Sequence, residues 1–275
     1  MMRIGYWHLP TADGVHPAEL ARELEQRGAE ALFLGEHTNL PVADARPDDE
    51  QDRLQPRITD PLTTLGLIAG VTERLTLGTS ILLAAQREPI VTAKAIATLD
   101  VLSGGRVVLG VGAGWHAGEL ASHGVDPKAR AAVLREHMLA MRAIWTTEQA
   151  EFHGTHVDFG PLYSWPKPVS GPVVLAGGGL EPAWRKIGEY ADGWLPVYPG
   201  DTGPLVANIA ELRRRAAEAG RKLPITVMNA PADVAALAVL AEAGVDRALL
   251  ELPSTAPDGV RRALDGHADL LGRTW

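Results

Sequence analysis

The chain has no cysteine among its 275 residues. Disulfides, thiol nucleophiles and cysteine-held metals are therefore excluded. No apolar run approaches the roughly 20 residues that a membrane span needs. The first residues, Met1–Pro10, lack the apolar core of a signal peptide and read directly as a strand. Neither a GxSxG elbow nor a Walker loop occurs, and no GxGxxG follows the first strand. There is no low-complexity tract. The net charge of −8 leaves no excess of positive charge for nucleic acid or an anionic membrane. These absences lead us to expect a cytoplasmic protein whose partner is a small molecule, with neither nucleic acid nor membrane bound.

What is present is a repeated unit. Short apolar runs at 2–7, 31–37, 75–84, 106–114, 172–178, 193–198, 224–230 and 247–253 read as strands. They are continuously apolar rather than alternating, as parallel strands buried on both faces are. Amphipathic segments separate them. One stops at Gly28, one opens with Asp60 as N-cap and Pro61 in the first turn, and one ends on Gly104 and Gly105. Eight strand–helix units predict a TIM-type (β/α)8 barrel spanning 1–275 as one domain, with a doubly wound sheet as the alternative. Two segments break the spacing. Residues 38–59, after the second strand, form a polar insertion at the barrel mouth. Residues 126–171, after the fourth, hold a long helix and then an extended flap or hairpin. Insertions of this length commonly serve as lids or binding segments.

Barrel chemistry belongs at the C-terminal ends of the strands. The second strand ends in Glu36 and His37. A histidine there can trade protons near neutral pH, or simply cap and pack; Glu36 points the other way and orients a barrel neighbour. The third offers Thr79 and Ser80. The fourth ends in Gly110, Gly112 and Gly114, followed by Trp115, His116 and Glu119. Those glycines admit either a flat ligand or a closely packed helix. Trp115 is a candidate wall for a ring or part of the core, His116 is expected to face solvent, and Glu119 to cap the next turn. The fifth strand ends in Gly177, Gly178 and Gly179 before a helix, an arrangement suited to phosphate. Tyr198 ends the sixth. His153 and His156 lie in the flap with no carboxylate at a metal-site spacing, and no metal is expected.

Two blocks carry a specific likeness. Residues 77–120, containing ATLDVLSGGR and GVGAGW, resemble the core block of the bacterial luciferase-like superfamily. Residues 175–196, LAGGGLEPAWRKIGEYADGWLP, resemble its second block. The resemblance implies a TIM barrel that binds FMN or the deazaflavin coenzyme F420 across its mouth, and it points to the short, deazaflavin-dependent branch. It implies a cis bond at Ser80–Ile81 whose bulge supports the ring. Thr79, Ser80, Ile81, Gly112, Ala113 and Gly114 would border the cofactor, and Gly177, Gly178, Gly179 and Leu180 would hold its phosphate. His37 matches the active-site histidine of deazaflavin dehydrogenases, and Trp115 and Tyr198 would line the substrate pocket. The sequence departs from the family's sugar-phosphate dehydrogenase, which has a carboxylate where Trp115 stands. The implied function is hydride transfer between F420 and a small organic substrate by a homodimer. The alternatives are an FMN monooxygenase fed by a separate reductase, and a barrel that binds cofactor without catalysis.

Overall fold

The computed structural model describes all residues except Pro47, Ser170, Thr255 and Ala256. The eight apolar runs all become parallel strands: β1 (Arg3–His8), β2 (Ala31–Leu34), β3 (Thr76–Leu83), β4 (Val107–Gly112), β7 (Val173–Gly177), β8 (Gly193–Leu195), β9 (Thr226–Met228) and β10 (Arg247–Glu251). Their order in the sheet is β8-β7-β4-β3-β2-β1-β10-β9. Two isolated parallel bridges, Trp194 to Ile225 and Val197 to Met228, join the ends of the sheet into a barrel.

Helices α1 (Pro17–Gln26), α3 (Pro61–Ala69), α4 (Pro89–Ser103), α7 (Leu180–Glu189), α8 (Thr202–Glu218), α9 (Val234–Glu242) and α10 (Pro257–Gly266) follow the strands, and α11 (Ala268–Leu271) ends the chain. Their local causes are those visible in sequence. Asp60 accepts the Thr63 amide at 2.8 Å with Pro61 beside it, and Gly104 closes α4 in the left-handed region at φ 70°. The first insertion forms short helix α2 (Glu50–Leu54) and one 3-10 turn. Short helix α5 (Ala117–Ser122) follows β4, and the second insertion forms α6 (Arg130–Thr146) and an antiparallel hairpin of β5 (Gln149–His153) with β6 (Asp158–Tyr163).

Apolar side chains divide into two groups. One large set lies between strands and helices, and a small set including Phe33, Leu175, Leu195 and Leu249 fills the barrel. At the N-terminal end Arg247 bonds Glu30 at 2.5 and 2.7 Å and lies over the Phe33 ring, so the floor is sealed by a paired charge. The opposite end is open, which leaves the strand C-termini to bind and react.

Candidate active site

The end of β2 sends neighbouring side chains to opposite tasks. Glu36 accepts from the Leu83 amide at 2.6 Å and from Arg87 at 2.7 Å, and thereby orients the end of β3. His37, with its side chain 12% exposed, borders the mouth. Its Nδ1 lies 2.8 Å from Oε2 of Glu119, a residue with no exposed surface. The other oxygen of Glu119 accepts the Thr38 amide at 2.7 Å and the Thr38 hydroxyl at 3.1 Å. Burial opposes the charge on Glu119, but the bonds from His37 and Thr38 outweigh it and hold the carboxyl below its ordinary range. A carboxylate only accepts, so Nδ1 of His37 carries the proton and its Nε2 edge is left for a ligand.

This corrects two expectations. Glu119 does not cap the helix; His116 does, accepting the Glu119 amide on Nδ1 at 3.0 Å. His116 is therefore not turned to solvent, and its side chain is only 12% exposed. The His37–Glu119 pair spans 82 positions of sequence, so no local spacing reveals it. Trp115 stands half open beside the pair, edge-on to His37 at 5.9 Å and to His116 at 5.2 Å between centroids.

The Ser80–Ile81 peptide bond is cis, and the pairing of β3 with β4 shifts register between Thr79 and Leu82. Ser80 and Ile81 face the mouth together with Gly112, Ala113 and Gly114. Thr79 does not. It is fully buried, its hydroxyl donates to the Gly110 carbonyl at 2.9 Å, and it holds the wall rather than a ligand. Tyr198 is also corrected: its hydroxyl bonds Thr202, and its neighbour Val197 is the residue at the mouth.

The glycines of β4 serve packing. A Cβ on Gly110 would lie 2.4 Å from both Leu195 and the Thr79 carbonyl oxygen, and one on Gly112 would lie 2.1 Å from Ile81. The run at 177–179 differs. Gly178 has φ +101°, and a Cβ on Gly178 or Gly179 would meet nothing within 4 Å. Gly179 occupies the N-cap of α7 without a side-chain cap, and Leu180 begins the helix, so the first amides of α7 have no side-chain acceptor. Lys186 donates to the Gly177 carbonyl at 2.9 Å.

Two cavities meet at His37. One, of about 580 Å³, is bordered by Ser80, Trp115, Gly177 and Gly178, with Arg130 and Lys186 as its cations. The other, of about 550 Å³, runs along Glu50, Gln55, Asn229 and Glu251. Trp7, Leu9, His37 and Gln51 belong to both. Among the described residues neither Arg130 nor Lys186 pairs with a carboxylate, and no three His, Asp or Glu side chains gather as a metal site would require. Nor, among the described residues, is any helix long and apolar enough to cross a membrane.

Comparison with known proteins fits this geometry. The family model described as luciferase-like monooxygenase matches residues 2–267. An uncharacterised protein of Mycobacterium tuberculosis is 40% identical over 263 residues, covering 89% of this chain and 90% of its own. An F420-dependent secondary alcohol dehydrogenase, solved with an F420–acetone adduct, superposes with a TM-score of 0.79 at 19% identity over 100% of both chains. The monooxygenase RslO1 of Streptomyces bottropensis superposes with a TM-score of 0.78 at 19% identity over 98% of each. At these identities the two structures share the fold.

Proposed function

The chain belongs to the luciferase-like monooxygenase family, and from that premise we propose that it is an oxidoreductase that moves a hydride between a deazaflavin coenzyme and a small organic substrate. The observation that carries the reading is the position of His37. It is the one ionisable side chain common to both cavities, and a buried carboxylate fixes its ring.

The residues present suit such a coenzyme. Gly178 and Gly179 leave open space where side chains would intrude, and the uncapped start of α7 offers amides to a phosphate. Arg130 and Lys186 add positive charge with no acidic partner among the described residues. Burial lowers the pKa of Lys186, so an anion beside it would restore favourable charge. Ser80, Ile81 and Gly112–Gly114 would border the ring, with Trp115 at its edge.

When bound, the deazaflavin supplies the carbon that gives or takes the hydride. The protein supplies the proton. With Nδ1 protonated against Glu119, His37 can accept a hydroxyl proton on Nε2 or, once charged, return it to a carbonyl oxygen. Glu119 balances the imidazolium that forms. The 38–59 insertion borders the site through Glu50, Gln51 and Gln55.

We also propose a homodimer, supported by exposed Leu67 on α3 and Val91, Val101 and Leu102 on α4. Light scattering at micromolar concentration tests it, and a monomeric mass refutes it. The coenzyme is tested by titrating with F420 and with FMN, followed by fluorescence. Tighter binding of F420 is expected. A clear FMN preference with oxygen consumption makes the chain a flavin monooxygenase instead.

A further inference from the structure

The second cavity differs in kind from the first. Among the described residues its walls carry no lysine or arginine, and two carboxylates, Glu50 and Glu251, stand on it without a salt-bridge partner. Arg53 and Arg57 lie beyond Leu54 and Ser254 in a separate depression, where Arg57 is paired with Asp13.

Several buried polar atoms of this wall lack a partner. Gln55 is 1% exposed; its amide nitrogen donates to the Asn39 carbonyl, while its oxygen bonds nothing. Trp7 is 8% exposed and its indole N–H is unpaired. Asn229 holds a left-handed backbone at φ 56°, and its side-chain oxygen is also unpaired. Buried polar groups are rarely left so, and three on one cavity wall mark a place for a ligand's own polar groups. Two of the three are acceptors.

We infer that this cavity takes an uncharged, hydroxyl-bearing substrate and rejects phosphates and carboxylates. The inference rests on the proposed function in one respect, that the first cavity is the coenzyme's. The hydroxyl to be oxidised lies toward His37, and further hydroxyls donate to Gln55, Asn229 and Glu251. An anionic substrate would face two acids with no cation to meet it.

Three probes of one size separate the possibilities: trans-1,2-cyclohexanediol, cyclohexylammonium and cyclohexyl phosphate. The readout is the side-chain amide resonances of Gln55 and Asn229 in 15N-labelled protein, because these residues border this cavity and not the other. The diol is expected to shift both resonances saturably. The phosphate is expected to bind there at least tenfold more weakly, whatever it does in the cationic cavity. Glu251→Lys should reverse that order. Asn229→Gly, which suits the left-handed backbone, should weaken the diol severalfold. Phosphate binding as tight as the diol, ammonium binding tenfold tighter than the diol, or no shift with any probe overturns the assignment. Coenzyme preference is measured separately by titration, so failure of the function and failure of the substrate class are distinguishable.

Discussion

The two cavities share Trp7, Leu9, His37 and Gln51 and differ in the rest of their walls. One is made by glycines, a helix N-terminus and two cations that have no carboxylate partner among the described residues; the other by two carboxylates and the carboxamides of Gln55 and Asn229. Their difference follows from chain order. The cationic side draws on the ends of β3, β4 and β7, where the glycine-bearing segments lie. The acidic side draws on β9, β10 and the 38–59 insertion. One barrel thus presents two electrostatic surfaces, and an anion that suits the first meets two carboxylates at the second. In the proposed reaction, His37 at the seam would carry the proton for both ligands.

Removing the shared residue should have the largest effect. His37→Ala is expected to lower turnover by about 10²–10⁴-fold while coenzyme affinity stays within a factor of about three. Steady-state kinetics and titration check this; normal turnover per folded molecule would reduce His37 to a packing residue. Glu119→Gln should cost about 10–10²-fold in turnover, the worth of one charge-assisted hydrogen bond to the ring. It should also change the response to acid. Because Glu119 titrates below its ordinary 4.5 when folded, its contribution to stability is full above that pH and is lost as pH falls through the folded value. Denaturant titrations from pH 6 to 3 should show a shallower decline in the variant.

The remaining effects fall on stability. Gly110→Ala should destabilise the fold by about 1–3 kcal/mol, because its Cβ meets a backbone oxygen that cannot retreat. Gly179→Asp should do the reverse and add a few tenths of a kcal/mol, since aspartate is a better N-cap at its φ of −67°. Thermal melts of the two variants separate a packed glycine from an open one.

That pair also shows what was legible in the sequence. The barrel was, because eight continuous apolar runs between capped helices leave few other arrangements, and the two insertions fell where the spacing broke. The position of His37 was legible because a residue following a strand's last apolar position reaches the mouth. The two glycine runs differ in what surrounds them: Gly110 and Gly112 make room for Leu195 and Ile81, whereas Gly178 and Gly179 face open space. Only the packing of neighbouring strands separates these cases. Glu119 was read as a cap because it stands in the first turn of a short helix. Its partner is His37 on another strand, and the local pattern instead belongs to His116. Thr79 and Tyr198 fell out of the site because their hydroxyls are already bonded, to Gly110 and Thr202. Gln55 gave no signal, since its lack of a partner exists only in the folded chain.

The central claim is that the glycine-and-cation cavity seats the phosphate of a deazaflavin. It is tested most directly by fluorescence titration of F420 into the wild-type chain and into Gly179→Asp, with FMN as reference. The account predicts that the wild type binds F420 more tightly than FMN. It predicts that Gly179→Asp loses about tenfold or more in affinity while melting no lower than the wild type, because the new carboxylate occupies the amides meant for phosphate. Unchanged affinity in the folded variant would contradict it.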